Sequence, residues 1–189
     1  MLRIVGGKHR GRTIGAPEGR ATRPTSSRAR EALFNILLHA NWRQDGTSPM
    51  IEARVLDAFA GSGALGLEAL SRGAAHVTFL DNDSGAIRLI GENLRKLGET
   101  AAAKVVRADA TRPPPVREAC DLVLLDPPYR SGLAAPALAA LDQAGWIAVD
   151  GIVTVELAHS EDVAPPAGFE VIDERRYGAA KIVILRKAS

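Results

Sequence analysis

Between Val55 and Gly66 the chain reads Val-Leu-Asp-Ala-Phe-Ala-Gly-Ser-Gly-Ala-Leu-Gly, an order that leaves few folds open. Val55–Ala60 is an apolar run of strand length, Gly61-Ser62-Gly63 a tight turn, and Ala64–Ser71 a helix that Gly73 ends. The same beat recurs downstream. His76–Leu80 is a second strand, closing on Asp81-Asn82-Asp83. Ser84–Leu97 is a helix ended by Gly98, with Ile87, Leu89, Ile90, Leu94 and Leu97 on its buried face. Lys104–Arg107 is a third strand reaching Asp109, and Asp121–Leu125 a fourth. A helix at about 133–144, a strand at Ile152–Glu156 and two more at about 169–175 and 181–186 complete the count. Strands alternating with helices predict an α/β fold: a parallel sheet, right-handed crossovers and a ligand site at the strands' C-terminal ends. Only Arg176–Ala180 joins the last two strands, too short for a crossover helix, so they are expected to run antiparallel.

Ahead of this body lies a segment of different character. Residues 2–14 alternate loosely around Gly6-Gly7 and Gly11 and predict a short β-hairpin or two extended pieces. Arg23-Pro24-Thr25-Ser26-Ser27 is an extended turn offering N-cap hydroxyls to a helix over Arg28–Ala40. Residues 41–50 read as a polar linker, which divides the chain into a basic extension, 1–45, and a main domain, 51–189. The formal charge of +2 hides the contrast between them. Residues 1–30 carry eight Lys/Arg against one acid (+7), and the rest sixteen against twenty-one (−5). A basic arm on an acidic body suits an enzyme that binds a polyanion. Lys8, Arg10, Arg12, Arg23, Thr25 and Arg28 are the candidates for phosphate contacts; a solvated basic tail is the plainer alternative.

Other function classes fall away on composition. The longest apolar runs are far short of the roughly 18–20 residues of a membrane span, and no apolar signal segment follows Met1-Leu2-Arg3. Cys120 is alone, so it has no internal disulfide partner, and no Cys/His cluster suggests a metal. A cytoplasmic chain is expected.

Two stretches carry chemistry. In Asp126-Pro127-Pro128-Tyr129 the prolines fix φ and lack N–H donors, so the carbonyls of Asp126 and Pro127 are held in a rigid turn. With the Asp126 carboxylate and the flat face of Tyr129, that makes a receptor for a planar amine. Gripping the two hydrogens of an exocyclic NH2 favours a more pyramidal, more nucleophilic nitrogen. A strand-terminating turn with a packing tyrosine is the alternative. The second stretch, Gly61-x-Gly63-x-x-Gly66 with Asp81 twenty residues on, also satisfies the dinucleotide fingerprint. Asp57, four residues before the first glycine, argues against a pyrophosphate there and for an ammonium group.

Asp126-Pro127-Pro128-Tyr129 resembles motif IV, [DNS]-P-P-[YFW], of the amino-methyltransferases. Asp57-Ala58-Phe59-Ala60-Gly61-Ser62-Gly63 is similar to their motif I. The resemblance implies a Rossmann-like seven-stranded fold and S-adenosylmethionine as cofactor. Asp57, Phe59, Gly61, Ser62 and Gly63 would line its site, Asp81 would take the ribose, and Asp109 with the Ala110 N–H would meet the adenine. The whole chain resembles the bacterial 16S ribosomal RNA guanine-N2 methyltransferases that modify guanine 966. The resemblance runs through Arg3–Gly7, Gly11-Arg12, Arg23-Pro24-Thr25, Arg28–Asn35, Asp57–Ala74, Asp126–Tyr129 and Tyr177-Gly178. Asp81 departs from the family, where Glu is common, as does Ser26-Ser27 in place of Thr-Asp. Implied are methylation of a guanine N2 in the small ribosomal subunit or its assembly intermediate, a monomer, and catalysis by positioning at Asp126, Pro127, Pro128 and Tyr129. The target must be unpaired or flipped, and activity should fall with salt. A DNA adenine-N6 or cytosine-N4 methyltransferase shares both motifs, although no inserted DNA-recognition domain is apparent. A non-catalytic RNA-binding module or an NAD enzyme is the more distant alternative.

Overall fold

The computed structural model describes residues 1–17 and 27–188. Arg23 and Thr25, expected at the RNA interface, lie outside the described residues. A minimal hairpin opens the chain: β1 (Leu2–Arg3) pairs antiparallel with β2 (Thr13–Ile14), with Leu2 opposite Ile14. Helix α1 (Ser27–His39) starts one residue earlier than expected, and the hydroxyls of Thr25 and Ser26 that were expected to cap it lie outside the described residues.

The strand–helix beat then appears as read: β3 (Arg54–Ala58), α2 (Ala64–Ser71), β4 (His76–Asp81), α3 (Ser84–Leu97), β5 (Ala103–Arg107), β6 (Cys120–Leu125), α4 (Ala134–Gln143), β7 (Ile147–Ala158), β8 (Phe169–Tyr177) and β9 (Ala180–Lys187). The seven longer strands form one sheet in the order β5-β4-β3-β6-β7-β9-β8. The pairs from β5 through β7 are parallel, while β9 runs antiparallel to both β7 and β8. Strand β7 begins five residues before its expected start at Ile152. Its register against β6 shifts between Cys120 and Leu122, and Asp150 (φ 59°) bends the inserted stretch. Local apolar alternation breaks at such a bulge, so the first part of the strand had no readable pattern.

Helix α3 shows how local chemistry sets the ends. The Asp83 side chain accepts from Gly85 N at 2.7 Å, and Gly98 (φ 78°) closes the helix in the left-handed region where a Cβ is costly. One apolar layer on the sheet includes Val55, Leu67, Leu70, Phe79, Ile90 and Leu94, the other Leu56, Val123, Leu138, Leu141 and Trp146. Ile4, Ile14, Leu33, Phe34 and Leu37 belong to the first layer, so the extension shares the body's core. Burying Phe34 alone is worth about 1.5–3 kcal/mol. Among the described residues no helix is long and apolar enough to cross a membrane.

A buried acid anchors the hairpin to α2. Glu68 of α2, 0% exposed, accepts from Val5 N (2.9 Å), Gly6 N (2.7 Å) and Arg72 Nε (2.8 Å), with Arg30 Nε at 3.8 Å. Arg30 in turn donates to the Arg3 carbonyl at 2.5 Å. A Cβ on Gly7 would meet the Ser71 carbonyl at 1.9 Å, so a glycine is required where the hairpin touches α2.

Candidate active site

Register places both chemical stretches at one end of the sheet. Ala58 stands opposite both Leu80 and Leu125, and Leu125 stands opposite Val155. The chain therefore leaves β3, β4, β6 and the last turn of β7 at nearly one level. The two stretches touch directly: Asp126 N donates to the Ala58 carbonyl at 3.3 Å.

The glycine loop leaves β3 through Phe59, a bulky residue in the left-handed region (φ 61°), followed by Gly61 (φ 55°) and Gly63 (φ 77°). A second bulky left-handed residue, Arg130 (φ 56°), directly follows Tyr129. Strain of this kind costs on the order of 1–3 kcal/mol and gathers at functional turns. Gly61 N donates to Asp81 Oδ2 at 2.8 Å, which joins the loop to the end of β4. A Cβ on Gly66 would lie 2.3 Å from the Phe79 ring, so that glycine lets α2 pack on the sheet. Asn93 of α3 was not singled out from sequence. Buried at 2% exposure, it donates to the Ser62 carbonyl (3.0 Å) and accepts from Gly15 N (2.7 Å), tying the extension to the loop. An amide among the apolar positions of the helix's buried face was the available signal.

Asp57 sits inside this construction. It is 1% exposed and accepts from Gly66 N at 2.8 Å, so its carboxyl holds the first turn of α2 and is closed to the open side of the loop. Burial pushes this carboxyl up to about 8, helped by the nearby charge of Asp81 and opposed by the Gly66 N–H. Burial thus works against the charge that the sequence expects at this position. An acid whose folded value lies above its unfolded value carries an extra proton in the folded state. Its contribution is full below the ordinary carboxyl range and is lost as pH rises to about 8. Denaturant unfolding across that window is expected to show the decline, and Asp57→Asn, which keeps an acceptor for Gly66, to flatten it. Parallel profiles for the two proteins would show that Asp57 is charged throughout.

The second stretch follows β6. Pro127 is buried, Pro128 is exposed, and Tyr129 is 41% exposed. The Tyr129 hydroxyl donates to Glu156 Oε1 at 2.6 Å, and burial together with that carboxylate pushes the phenol above its ordinary value. Arg130 N donates to Glu161 Oε1 at 2.8 Å, and Ala158 N to its Oε2 at 2.9 Å. A cavity of about 90 Å³ lies alongside, lined in part by Pro127, Pro128, Leu133, Glu156 and Glu161. The turn thus brings together the Asp126 carboxylate, a Pro-Pro pair without N–H donors and a half-open aromatic face.

The other expected residues are placed less uniformly. Asp109 accepts from Thr111 N (2.8 Å) and Thr111 Oγ1 (2.7 Å), bonds that lower its pKa and cap the loop after β5; Ala110 beside it is buried. Lys8 pairs with Glu99 at 2.7 Å, and His9 meets the same carboxylate. Arg12 donates to the Lys96 carbonyl (2.5 Å) at the end of α3. That helix has 14 residues, roughly 21 Å, and reaches the glycine loop through Asn93, about one turn before Lys96. Lys8 and Arg12 thus brace the hairpin against the end of α3, with the Lys8 side chain still 58% exposed. Arg10 is exposed on the same hairpin. Arg28 is different: with Ala29, Tyr177 and Gly178 it lines a cleft of about 350 Å³. The β8–β9 turn there bonds to His159 just after β7, at the motif end of the sheet. Among the described residues no cluster of His, Cys, Asp or Glu is fit to hold a metal.

A seven-stranded sheet in this order, with a glycine turn after β3 and an acidic Pro-Pro-aromatic turn after β6, defines a class I, S-adenosylmethionine-dependent methyltransferase fold. Comparison with known proteins narrows the class. The chain matches the family described as "Conserved hypothetical protein 95" over residues 2–186 and belongs to it. It is 38% identical over 157 residues to ribosomal RNA small subunit methyltransferase D of Escherichia coli K12, covering 82% of this chain and 74% of that protein. It is 32% identical over 192 residues to YlbH of Bacillus subtilis, covering 98% and 99%. The solved structure of the E. coli protein yhhF superposes with a TM-score of 0.81 at 33% identity, covering 99% of this chain and 98% of that one.

Proposed function

We propose that this chain methylates the exocyclic N2 amine of a guanine, of the 966 type, in the 16S RNA of the small ribosomal subunit or its assembly intermediate. The observation that carries the reading is the direct contact of the two motifs across adjacent strand ends, Asp126 N to the Ala58 carbonyl. The name of the E. coli relative, a small subunit ribosomal RNA methyltransferase, supports an RNA acceptor. The motif IV resemblance supports an amine.

The cofactor implied is S-adenosylmethionine, and the loop fits it. A Cβ built on Gly61 would find only the Phe59 carbonyl, at 3.9 Å, so the backbone there is open to close approach. The Gly61–Gly63 turn and the start of α2 would hold the amino-acid end, Asp81 the ribose diol, and the Asp109–Ala110 loop the adenine. Asp57 would act through the loop, by holding α2. Bound there, the cofactor supplies an electrophilic methyl group.

The remaining work belongs to the chain. Asp126 and the Pro127 carbonyl accept the two N2 hydrogens and turn the nitrogen lone pair out of conjugation. Tyr129 stacks on the guanine and fixes its plane. Asp126 is the nearest acceptor for the proton that N2 loses, and the rate gain comes mainly from orientation in a preorganised site. Arg28 and Tyr177 line the cleft on the motif end of the sheet and suit a flanking nucleotide, one cation for phosphate and one ring for a base.

Equilibrium binding of S-adenosylmethionine and NAD tests the cofactor assignment. Tight binding of the first with no measurable binding of the second is expected; the reverse order would return the glycine loop to the dinucleotide class.

A further inference from the structure

Glu156 is an anomaly in its strand. The central stretch of β7, Ile152–Val155, is buried and almost wholly apolar, yet the next residue is a carboxylate, itself only 5% exposed. Register places it level with Asp126, because Val155 stands opposite Leu125. Its Oε1 accepts from the Tyr129 hydroxyl at 2.6 Å, within the range of a short, charge-assisted bond. Five residues on, Glu161 receives Arg130 N with one oxygen and Ala158 N with the other, which joins the exit of the Pro-Pro turn to the end of β7. A tyrosine ring anchored only at its Cβ swings about two torsions. Fixing Oη sets the direction of its long axis, and because the phenolic O–H lies in the ring plane, a fixed acceptor also restrains rotation about that axis.

We propose that Glu156 is a positioning residue for methyl transfer: by holding the Tyr129 hydroxyl it fixes the direction of the ring and restrains its rotation, so that the target guanine stacks on a preset face, while Glu161 clamps the turn behind it. The proposal rests on reading 126–129 as the amine site and adds a part that the motif does not contain. The [YFW] choice at its last position includes residues with no hydroxyl, so the brace is a property of this chain's tyrosine together with its strand-end glutamate. Glu156 does not touch the reacting atoms; it acts through Tyr129.

The test is a double-mutant cycle on kcat with ribosomal RNA as acceptor, together with cofactor affinity and thermal midpoint for each variant. Tyr129→Phe and Glu156→Leu are each expected to lower kcat roughly tenfold, the effect of one lost charge-assisted hydrogen bond, with cofactor affinity unchanged. The double variant should be no slower than either alone. Glu156→Gln, which keeps an acceptor for the hydroxyl, should recover most of the rate. Losses that multiply in the double variant, or a Glu156→Leu protein as fast as wild type, would overturn the proposal.

A second readout needs no turnover. The chain has two tyrosines, so in a Tyr177→Phe background the Raman tyrosine doublet reports Tyr129 alone. It should show a strong donor that Glu156→Leu abolishes; a doublet that Glu156→Leu leaves unchanged would overturn the contact itself. A doublet that responds as expected in a protein that methylates no nucleic acid would instead overturn the amine-site reading on which the proposal rests.

Discussion

Asp126→Ala is expected to lower methyl transfer by about a thousandfold while leaving S-adenosylmethionine affinity within about twofold of wild type. The split follows from where the residue stands. Asp126 follows β6, and its own N–H is its tie to Ala58 and the glycine loop, a bond that alanine keeps. In the proposed amine receptor the carboxylate is the charged acceptor, and the prolines offer carbonyls alone. An exocyclic amine left conjugated with its ring is a weak nucleophile, so the loss falls on kcat. Asp126→Asn retains one acceptor oxygen and should fall between the two. Retention of more than about a tenth of wild-type kcat by the alanine variant would sink the amine grip.

The second large effect is on stability. Glu68→Ala is expected to cost about 3–5 kcal/mol, read by denaturant unfolding. The carboxylate is wholly buried, accepts from two hairpin N–H groups and from Arg72, and is the counter-charge for Arg30. Burial lowers the Arg30 pKa and the Glu68 charge opposes that shift, so removing the acid leaves a buried guanidinium without its compensating charge. Val5 and Gly6 lose their acceptor at the same time. Glu68→Gln, which keeps an acceptor and most of the volume, should cost clearly less. A loss below about 1 kcal/mol for Glu68→Ala would mean that the hairpin is held by its apolar contacts, Ile4 and Ile14, rather than by this acid.

The sequence reading succeeded where the information is local. Strand and helix periods, the glycines at helix ends and the brevity of residues 176–180 specify the element order and the reversed last strand, and the sheet follows from them. Both motif turns were legible for the same reason, since Pro and Gly act on their own backbone. What stayed hidden depends on partners distant in sequence. Tyr129 and Glu156 are 27 positions apart, Asn93 and Gly15 are 78 apart, and His9 and Glu99 are 90 apart. The basic arm shows the limit most clearly. Counted as charge, Lys8 and Arg12 looked available to phosphates. In the fold, Lys8 is paired with Glu99 and Arg12 donates to the Lys96 carbonyl, so each also has a structural partner at the end of α3. Asp57 is a further case: its position before the glycines was plain, but its burial under α2 required the helix to be in place.

The central claim is that the Pro-Pro-Tyr turn and the glycine loop together methylate a guanine amine in ribosomal RNA. The most direct measurement is transfer of labelled methyl from S-adenosylmethionine to unmodified small ribosomal subunits, naked 16S RNA and duplex DNA, with Asp126→Ala as control and the labelled base identified. Label on N2 of a single guanine in the subunit RNA, absent with the control, is the predicted result. Label on adenine or cytosine of DNA, or equal labelling by the Asp126→Ala protein, would contradict it.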